Sequence, residues 1–247
     1  MNKLSFYFLF SLMILSCQDE ETTTCPPKPE CLPTYLPLDG GGGDGIIYNL
    51  QRRVISVSDY KKYSYNNNCE AVKIEFVSYS RSEYLIIEYS STKIESTAFL
   101  IQATGDMNLG SFTYQIDDNR VISEVYIPND KSYSQKTVFE YNNEGNVIKE
   151  TYRQDDKLVF TKEYSFDNKK NPYGISGIKH NGGMSLFDAW NLSKNNVIKI
   201  IDTNYSSGIS VSIYEYEFTY NSDNYPTSRK FKSSISQPIY EFKYQCQ

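Results

Sequence analysis

The chain has 247 residues, with 25 Lys and Arg against 30 Asp and Glu, for a formal charge of −5. No basic stripe runs through it, which excludes nucleic acid as a partner. It carries 23 Tyr and 13 Phe but only one Trp and one His, a poor endowment for histidine-based catalysis or zinc binding.

Met1-Asn2-Lys3 places one positive charge before an apolar run from Leu4 to Leu15 that only Ser5 and Ser11 interrupt. As a helix that run rises about 18 Å, short of the roughly 30 Å of a bilayer core. Its length and charge order are those of a signal peptide over residues 1–16. The stretch ends Ile14-Leu15-Ser16-Cys17, which resembles a lipobox. The resemblance implies cleavage before Cys17 and lipidation of that cysteine, and two or more acyl chains hold a protein stably at a membrane. Gln18-Asp19-Glu20-Glu21 follows directly and resembles the surface-export signals of Bacteroidetes lipoproteins. That implies an outer-membrane location, lipid-anchored and facing the cell exterior.

Residues 17–45 read as a tether. Thr22-Thr23-Thr24, five prolines (Pro26, Pro27, Pro29, Pro33, Pro37) and the run Gly40 to Gly43 make up most of it. Proline stiffens a chain and glycine loosens it. Beyond Cys17, an exported chain with Cys25, Cys31, Cys69 and Cys246 is free to form disulfides, and four cysteines allow three pairings. Cys25 and Cys31 would close a small loop in the tether, which leaves Cys69 for Cys246. With His180 as the single histidine, the sequence calls for no metal and no cofactor.

Residues 46–247 read as one repetitive all-β domain. Val72, Ile74 and Phe76 alternate with Lys73 and Glu75, and Tyr214, Tyr216, Phe218 and Tyr220 alternate with Glu215, Glu217 and Thr219. Period two marks strands. A longer period is superposed: Phe139 to Tyr152 runs aromatic-x-aromatic, then an Asn/Gly turn, then Val-Ile. Versions recur from Tyr63, Phe112, Tyr164 and Phe218, with weaker copies from Ile87 and Trp190. Each copy is one hairpin, marginal alone and stable beside its neighbours. The expectation is an antiparallel meander of about 14 strands.

The Tyr141 to Asn146 element resembles a degenerate YD-repeat of the Rhs type, with Asn66, Asn142 and Asn221 where the full repeat has Asp. The whole layout resembles the Bacteroidetes outer-membrane lipoprotein domains of unknown function with a porin-like fold. That resemblance implies an architecture and assigns no catalytic residue. Wide open sheets curl or split, and a free edge invites aggregation, so the sheet is expected to be strongly curled or closed into a barrel. Closure would bring Cys69 and Cys246 on the first and last strands together. A membrane-spanning barrel fits less well, because many strands carry Lys or Glu on one face and Tyr, Ser or Thr on the other.

No catalytic constellation emerges. His180 sits in Lys179-His180-Asn181-Gly182-Gly183, a turn, and no Gly-x-Ser-x-Gly occurs. Nearly all of Asp117-Asp118, Asp155-Asp156, Asp167 and Glu144 fall in predicted turns, where Asp serves local geometry. The segment Asn171 to Leu186 breaks the repeat, and Phe187 and Trp190 follow it. With His180 they are the candidate ligand-binding residues, Trp190 as a stacking platform or as a core plug. The reading is a non-enzymatic, lipid-anchored surface protein that binds or displays a glycan, peptide or partner protein. An accessory subunit of an outer-membrane complex is the alternative, and a hydrolase with an unrecognised site is a third. Nothing in the sequence sets the oligomeric state.

Overall fold

The computed structural model describes residues 31–37, 43–48, 53–58, 60–77, 82–176, 185–232 and 239–246. Residues 1–16, expected to be a signal peptide, and Cys17, Cys25 and His180 lie outside them. Short strands come first: β1 (Cys31–Pro37), β2 (Gly43–Tyr48), β3 (Val54–Val57), β4 (Lys61–Tyr65) and β5 (Ala71–Val77). Longer ones follow as β6 (Ser82–Tyr89), β7 (Lys93–Leu100), β8 (Met107–Asp117), β9 (Arg120–Pro128), β10 (Gln135–Tyr141), β11 (Val147–Gln154) and β12 (Lys157–Lys170). Two short helices, α1 (Pro172–Ser176) and α2 (Ala189–Leu192), interrupt the meander. It resumes with β13 (Asn195–Asn204), β14 (Ser210–Tyr220), β15 (Pro226–Phe231), β16 (Tyr240–Glu241) and β17 (Lys243–Cys246).

The protein is an all-β antiparallel meander in a single 17-stranded sheet. Each strand pairs with the next as far as β16, and β17, which continues β16 beyond Phe242, pairs antiparallel with β1. Taking β16 and β17 as one interrupted run, the ring has sixteen positions, and an all-antiparallel ring closes only on an even number. The wall is thinnest at β3–β4 and β15–β16, which have two register pairs each, Ser56↔Lys62 with Val57↔Lys61 and Ser228↔Glu241 with Arg229↔Tyr240.

Two expectations are corrected at the seam. Cys31–Pro37, read as tether, is strand β1 and pairs with both β2 and β17. Its prolines argue against a central strand because they donate no hydrogen bond. The chain accommodates Pro33 beside a register shift and places Pro37 at the strand end. The expected Cys69–Cys246 bond does not form. Cys246 bonds to Cys31, with Cα atoms 4.1 Å apart, at directly opposed positions of β1 and β17. Cys69 is disulfide-bonded as well, though to neither of these. A disulfide therefore does join the first and last strands, but through the cysteine that sequence reading placed in the tether.

The repeated hairpin seen in the sequence is a repeated structure. At Asn66, Asn142 and Asn221 the backbone N–H donates to the carbonyl four residues on, at 3.0 Å in each case. The side-chain oxygen accepts the N–H of that same residue, at 3.0, 2.9 and 2.9 Å. The residue before it has positive φ: Cys69 at 68°, Gly145 at 90° and Asn224 at 64°. Tyrosines then strap neighbouring strands. Tyr65 donates to the Val54 carbonyl (2.8 Å), Tyr89 to Ala71 (3.0 Å), Tyr141 to Val121 (2.8 Å) and Tyr244 to Pro226 (2.8 Å). Each hydroxyl reaches from late in one strand to the start of a preceding one.

Strand alternation divides the wall into two faces. Across β5 to β8 the buried inward row Ile74–Leu85–Ala98–Gly110 narrows from two branched aliphatic side chains to Ala and then Gly. Gly110 ends the row because nothing larger fits. A Cβ there would lie 2.6 Å from the Ile127 carbonyl oxygen. The outer face carries ion pairs such as Lys73–Glu75 (2.7 Å), Lys93–Glu95 (3.0 Å) and Lys230–Glu217 (2.9 Å).

The seam yields a test. Replacing Cys31 and Cys246 together by Ala should lower stability by about 2 to 5 kcal/mol, read by urea unfolding. Non-reducing peptide mapping of the native protein should recover the Cys31–Cys246 peptide pair.

Candidate functional site

The described parts of the connection between β12 and β13, residues 171–176 and 185–194, pack against the inside of the barrel. Leu186 N–H bonds the Tyr114 hydroxyl of β8 (3.0 Å), Ala189 N–H bonds Glu150 Oε1 of β11 (2.8 Å), and Val147 N–H bonds the Ser193 hydroxyl (3.0 Å). At the other end of this insert the Tyr173 hydroxyl donates to the Pro37 carbonyl of β1 (2.5 Å), and its ring meets Phe242 edge-on. The insert thus reaches strands on opposite sides of the ring and acts as a plug. α2 is held by a capping box: Asp188 accepts the Asn191 N–H (3.0 Å), and Asn191 Oδ1 accepts the Asp188 N–H (2.9 Å).

Trp190 is turned inward and is 3% exposed. Its ring is edge-on to Tyr173 and Tyr216 at 5.5 and 5.4 Å. The fully buried Arg229 guanidinium lies 5.1, 5.2 and 5.4 Å from the Trp190, Tyr216 and Tyr240 ring centres. A cation so desolvated is held by ring quadrupoles. Phe187, half-buried, packs edge-on against Tyr114 at 5.0 Å. The structure brings Trp190 and Phe187 together, and His180 lies outside the described residues.

Above this plug is a cavity of about 500 Å³. Its wall comes from inward rows across β10 to β14. One row is Phe139–Glu150–Lys162–Asp202, and beside it runs Thr137–Tyr152–Phe160. Tyr164, Ile200 and Tyr214 form a third row, and Tyr216 with Phe231 closes the side. Glu124, Ser185, Phe187, Asp188 and Trp190 complete the lining. Among the described residues, nine of the seventeen lining side chains are aromatic, four are carboxylates and one is an ammonium. Tyr152 and Phe160 stack at 4.7 Å, and Tyr214 remains 41% exposed at the mouth.

Burial dominates the electrostatics. Desolvation pushes the Glu150 carboxyl above its usual range, and the Lys162 charge pulls partly back. Tyr164, against Glu150, is raised by burial and by that negative charge. The Glu124 carboxylate accepts the Ser185 hydroxyl. Among the described residues, no group of three or more His, Cys, Asp or Glu side chains is placed to hold a metal ion.

The sequence reading singled out none of these four carboxylates. Of the acidic residues it did name, Glu144, Asp118, Asp155 and Asp156 sit at turns, the last three with positive φ, whereas Asp117 ends β8 and Asp167 lies within β12, against the turn expected there. A usable signal exists at Lys162 and Asp202. Each falls at the inward parity of its strand, Lys162 between Phe160 and Tyr164 and Asp202 two residues after Ile200. A charge on the aromatic face is the mark of a lined cavity. At Glu150 a register shift in β11 hides that parity.

No family model matches the chain, and neither does any curated protein. Among solved structures it is similar to a porin-like protein from Bacteroides vulgatus ATCC 8482. That match has 12% identity, spans 89% of this chain and 99% of the other, and has a TM-score of 0.44. It is also similar to a porin-like protein from Bacteroides uniformis ATCC 8492, with 13% identity, 90% and 99% coverage and a TM-score of 0.37.

The buried carboxyl gives a signed expectation. Because Glu150 holds its proton more tightly folded than unfolded, it lowers stability progressively as pH rises from the ordinary carboxylate range through its raised value. Glu150→Gln keeps an acceptor for Ala189 N–H and has no such cost. Urea unfolding should show the variant gaining on the native protein between pH 4 and pH 7. Parallel curves would place the carboxyl in water.

Proposed function

We propose that this chain is a non-enzymatic, lipid-anchored protein of the outer membrane, facing outward, which takes a glycan into the cavity above its plug. The observation that carries this reading is the cavity itself: a concave, aromatic-lined space of about 500 Å³ with a few polar groups converging on it. Ligand sites have that character, and a half-exposed ring such as Tyr214 offers a sugar an apolar face. The Ile14-Leu15-Ser16-Cys17 run supports the anchor. The ion pairs on the outer face support a barrel held at the membrane rather than within it, since a lipid-facing wall needs an unbroken apolar band.

One observation favours the accessory-subunit reading. At the start of β14, Ile209, Val211 and Ile213 are 77%, 58% and 58% exposed, a small apolar strip of the kind a protein partner covers.

A glycan array decides between the two. The full-length protein in detergent should bind a restricted set of glycans, and Thr137→Trp, which fills the cavity, should abolish that binding with its circular dichroism unchanged. A blank array, together with capture of one fixed membrane protein by both forms, would replace the proposal with the accessory role. For the anchor, growth with an alkyne-tagged fatty acid should label the native protein and leave Cys17→Ser unlabelled.

A further inference from the structure

We infer that Cys69 is bonded to Cys25, which ties the segment before β1 to the β4–β5 turn and shortens the leash between barrel and membrane. This rests on the reading of Cys17 as the lipid anchor and goes further by fixing where the leash is fastened.

The chain has five cysteines. Cys31 and Cys246 are bonded to each other, which removes the small Cys25–Cys31 loop expected in the tether. Cys69 is disulfide-bonded, and only Cys17 and Cys25 remain for it. A Cys17 sulfur that carries the lipid as a thioether cannot also form a disulfide, so the partner is Cys25. The conformation of Cys69 points the same way. It takes φ 68° where the sister turns have Gly145 and Asn224, residue types that adopt the left-handed region most readily. A cysteine bears a steric cost there, and the cross-link accounts for its presence. The reach is sufficient. β1 starts, β2 ends, β3 starts and β4 ends at one rim of the barrel. The β4–β5 turn therefore lies three strand spacings from the start of β1, about 14 Å around the wall. The six residue steps from Cys25 to Cys31 span up to about 20 Å.

In forming the bond, two S–H bonds break and one S–S bond forms. The two protons and two electrons pass to a protein disulfide of the exporting compartment, which becomes a dithiol. With Cys25 held, the free chain between lipid and barrel runs only from Cys17 to Cys25, at most about 26 Å, against about 46 Å to Cys31. The rim that carries Cys31, Cys69 and Cys246 is thus kept toward the membrane. The opposite rim, where β13 turns into β14 and Ile209 is 77% exposed, faces away.

The full-length protein in detergent, its free thiols blocked with N-ethylmaleimide, is digested without reduction by trypsin and a Glu-specific protease. Cuts after Glu30, Arg52, Lys62, Glu70 and Lys243 put Cys25, Cys31, Cys69 and Cys246 in separate peptides. Peptide 22–30 joined to peptide 63–70, and released by reduction, is the expected result. Cys69 recovered bound to Cys17 would overturn the inference and the anchor together. Cys69 bound to any other cysteine, or alkylated as a free thiol, while the fatty-acid label stays on Cys17, would overturn the inference and leave the anchor standing. As a second measurement, Cys25→Ser, Cys69→Ser and the double variant should lower the urea midpoint by the same amount, because each lacks the same bond. A double variant that falls by the sum of the two single shifts would overturn the pairing.

Discussion

Closure of an all-antiparallel ring is the constraint on which the rest of this protein depends. A strand at the edge of a sheet leaves a row of backbone donors and acceptors unpaired, and a meander this long would have two such edges. Joining β17 to β1 removes both. The Cys31–Cys246 bond sits at opposed positions of that seam and ties residues 215 apart in sequence. A closed wall of this circumference encloses more space than its own inward side chains fill. The described parts of the β12–β13 connection fill it, touching β1, β8, β11 and β14 from within through Tyr173, Leu186, Ala189 and Trp190.

The repeating hairpin explains how a chain rich in tyrosine avoids a merely greasy collapse. The Asn-initiated turn sets each hairpin's register through its own side chain, and the tyrosine hydroxyl fixes the neighbouring strand. Each such bond contributes modestly, about 1 kcal/mol, but the set recurs around the barrel. Tyrosine abundance here is in large part a backbone-satisfying device. Tyr214 lines the cavity instead and is 41% exposed, while among the strapping tyrosines Tyr65, Tyr141 and Tyr244 are half-buried and Tyr89 is 37% exposed.

Much of this was legible in the residues. Period-two alternation at Val72 to Phe76 and at Tyr214 to Tyr220 located real strands, and the Asn-centred turns at Asn66, Asn142 and Asn221 share one geometry. Closure was correctly expected from the width of the sheet and the hazard of its free edges, while the cysteine offered in support, Cys69, was the wrong one. The prolines around Cys31 read as a stalk because proline's local penalty is visible in sequence, whereas the β17 partner that offsets it is more than two hundred residues away. The two helices were missed for a related reason. Four- and five-residue helices have no period to detect, and α2 exists because Asp188 and Asn191 cap it inside a barrel already formed. The carboxylates of the cavity were invisible as a group because register alone, a product of the whole meander, aligns Glu150, Lys162 and Asp202.

That alignment also decides where the cavity lies. On the β5–β8 side the inward row Ile74–Leu85–Ala98–Gly110 tapers, so the wall packs down dry on its own core. On the β10–β13 side the corresponding row is Phe139–Glu150–Lys162–Asp202. Three adjacent ionisable groups do not collapse against hydrocarbon, because each charge taken from water without full compensation costs several kcal/mol. Glu150, the most deeply placed, already shows that cost in its raised proton affinity. The plug, anchored to Glu150 through Ala189 N–H, covers the base of that row and leaves Asp202 and Tyr214 above it. The same inward charges that forbid a solid core on this side are therefore what keep a concave, aromatic-walled space open beside the plug.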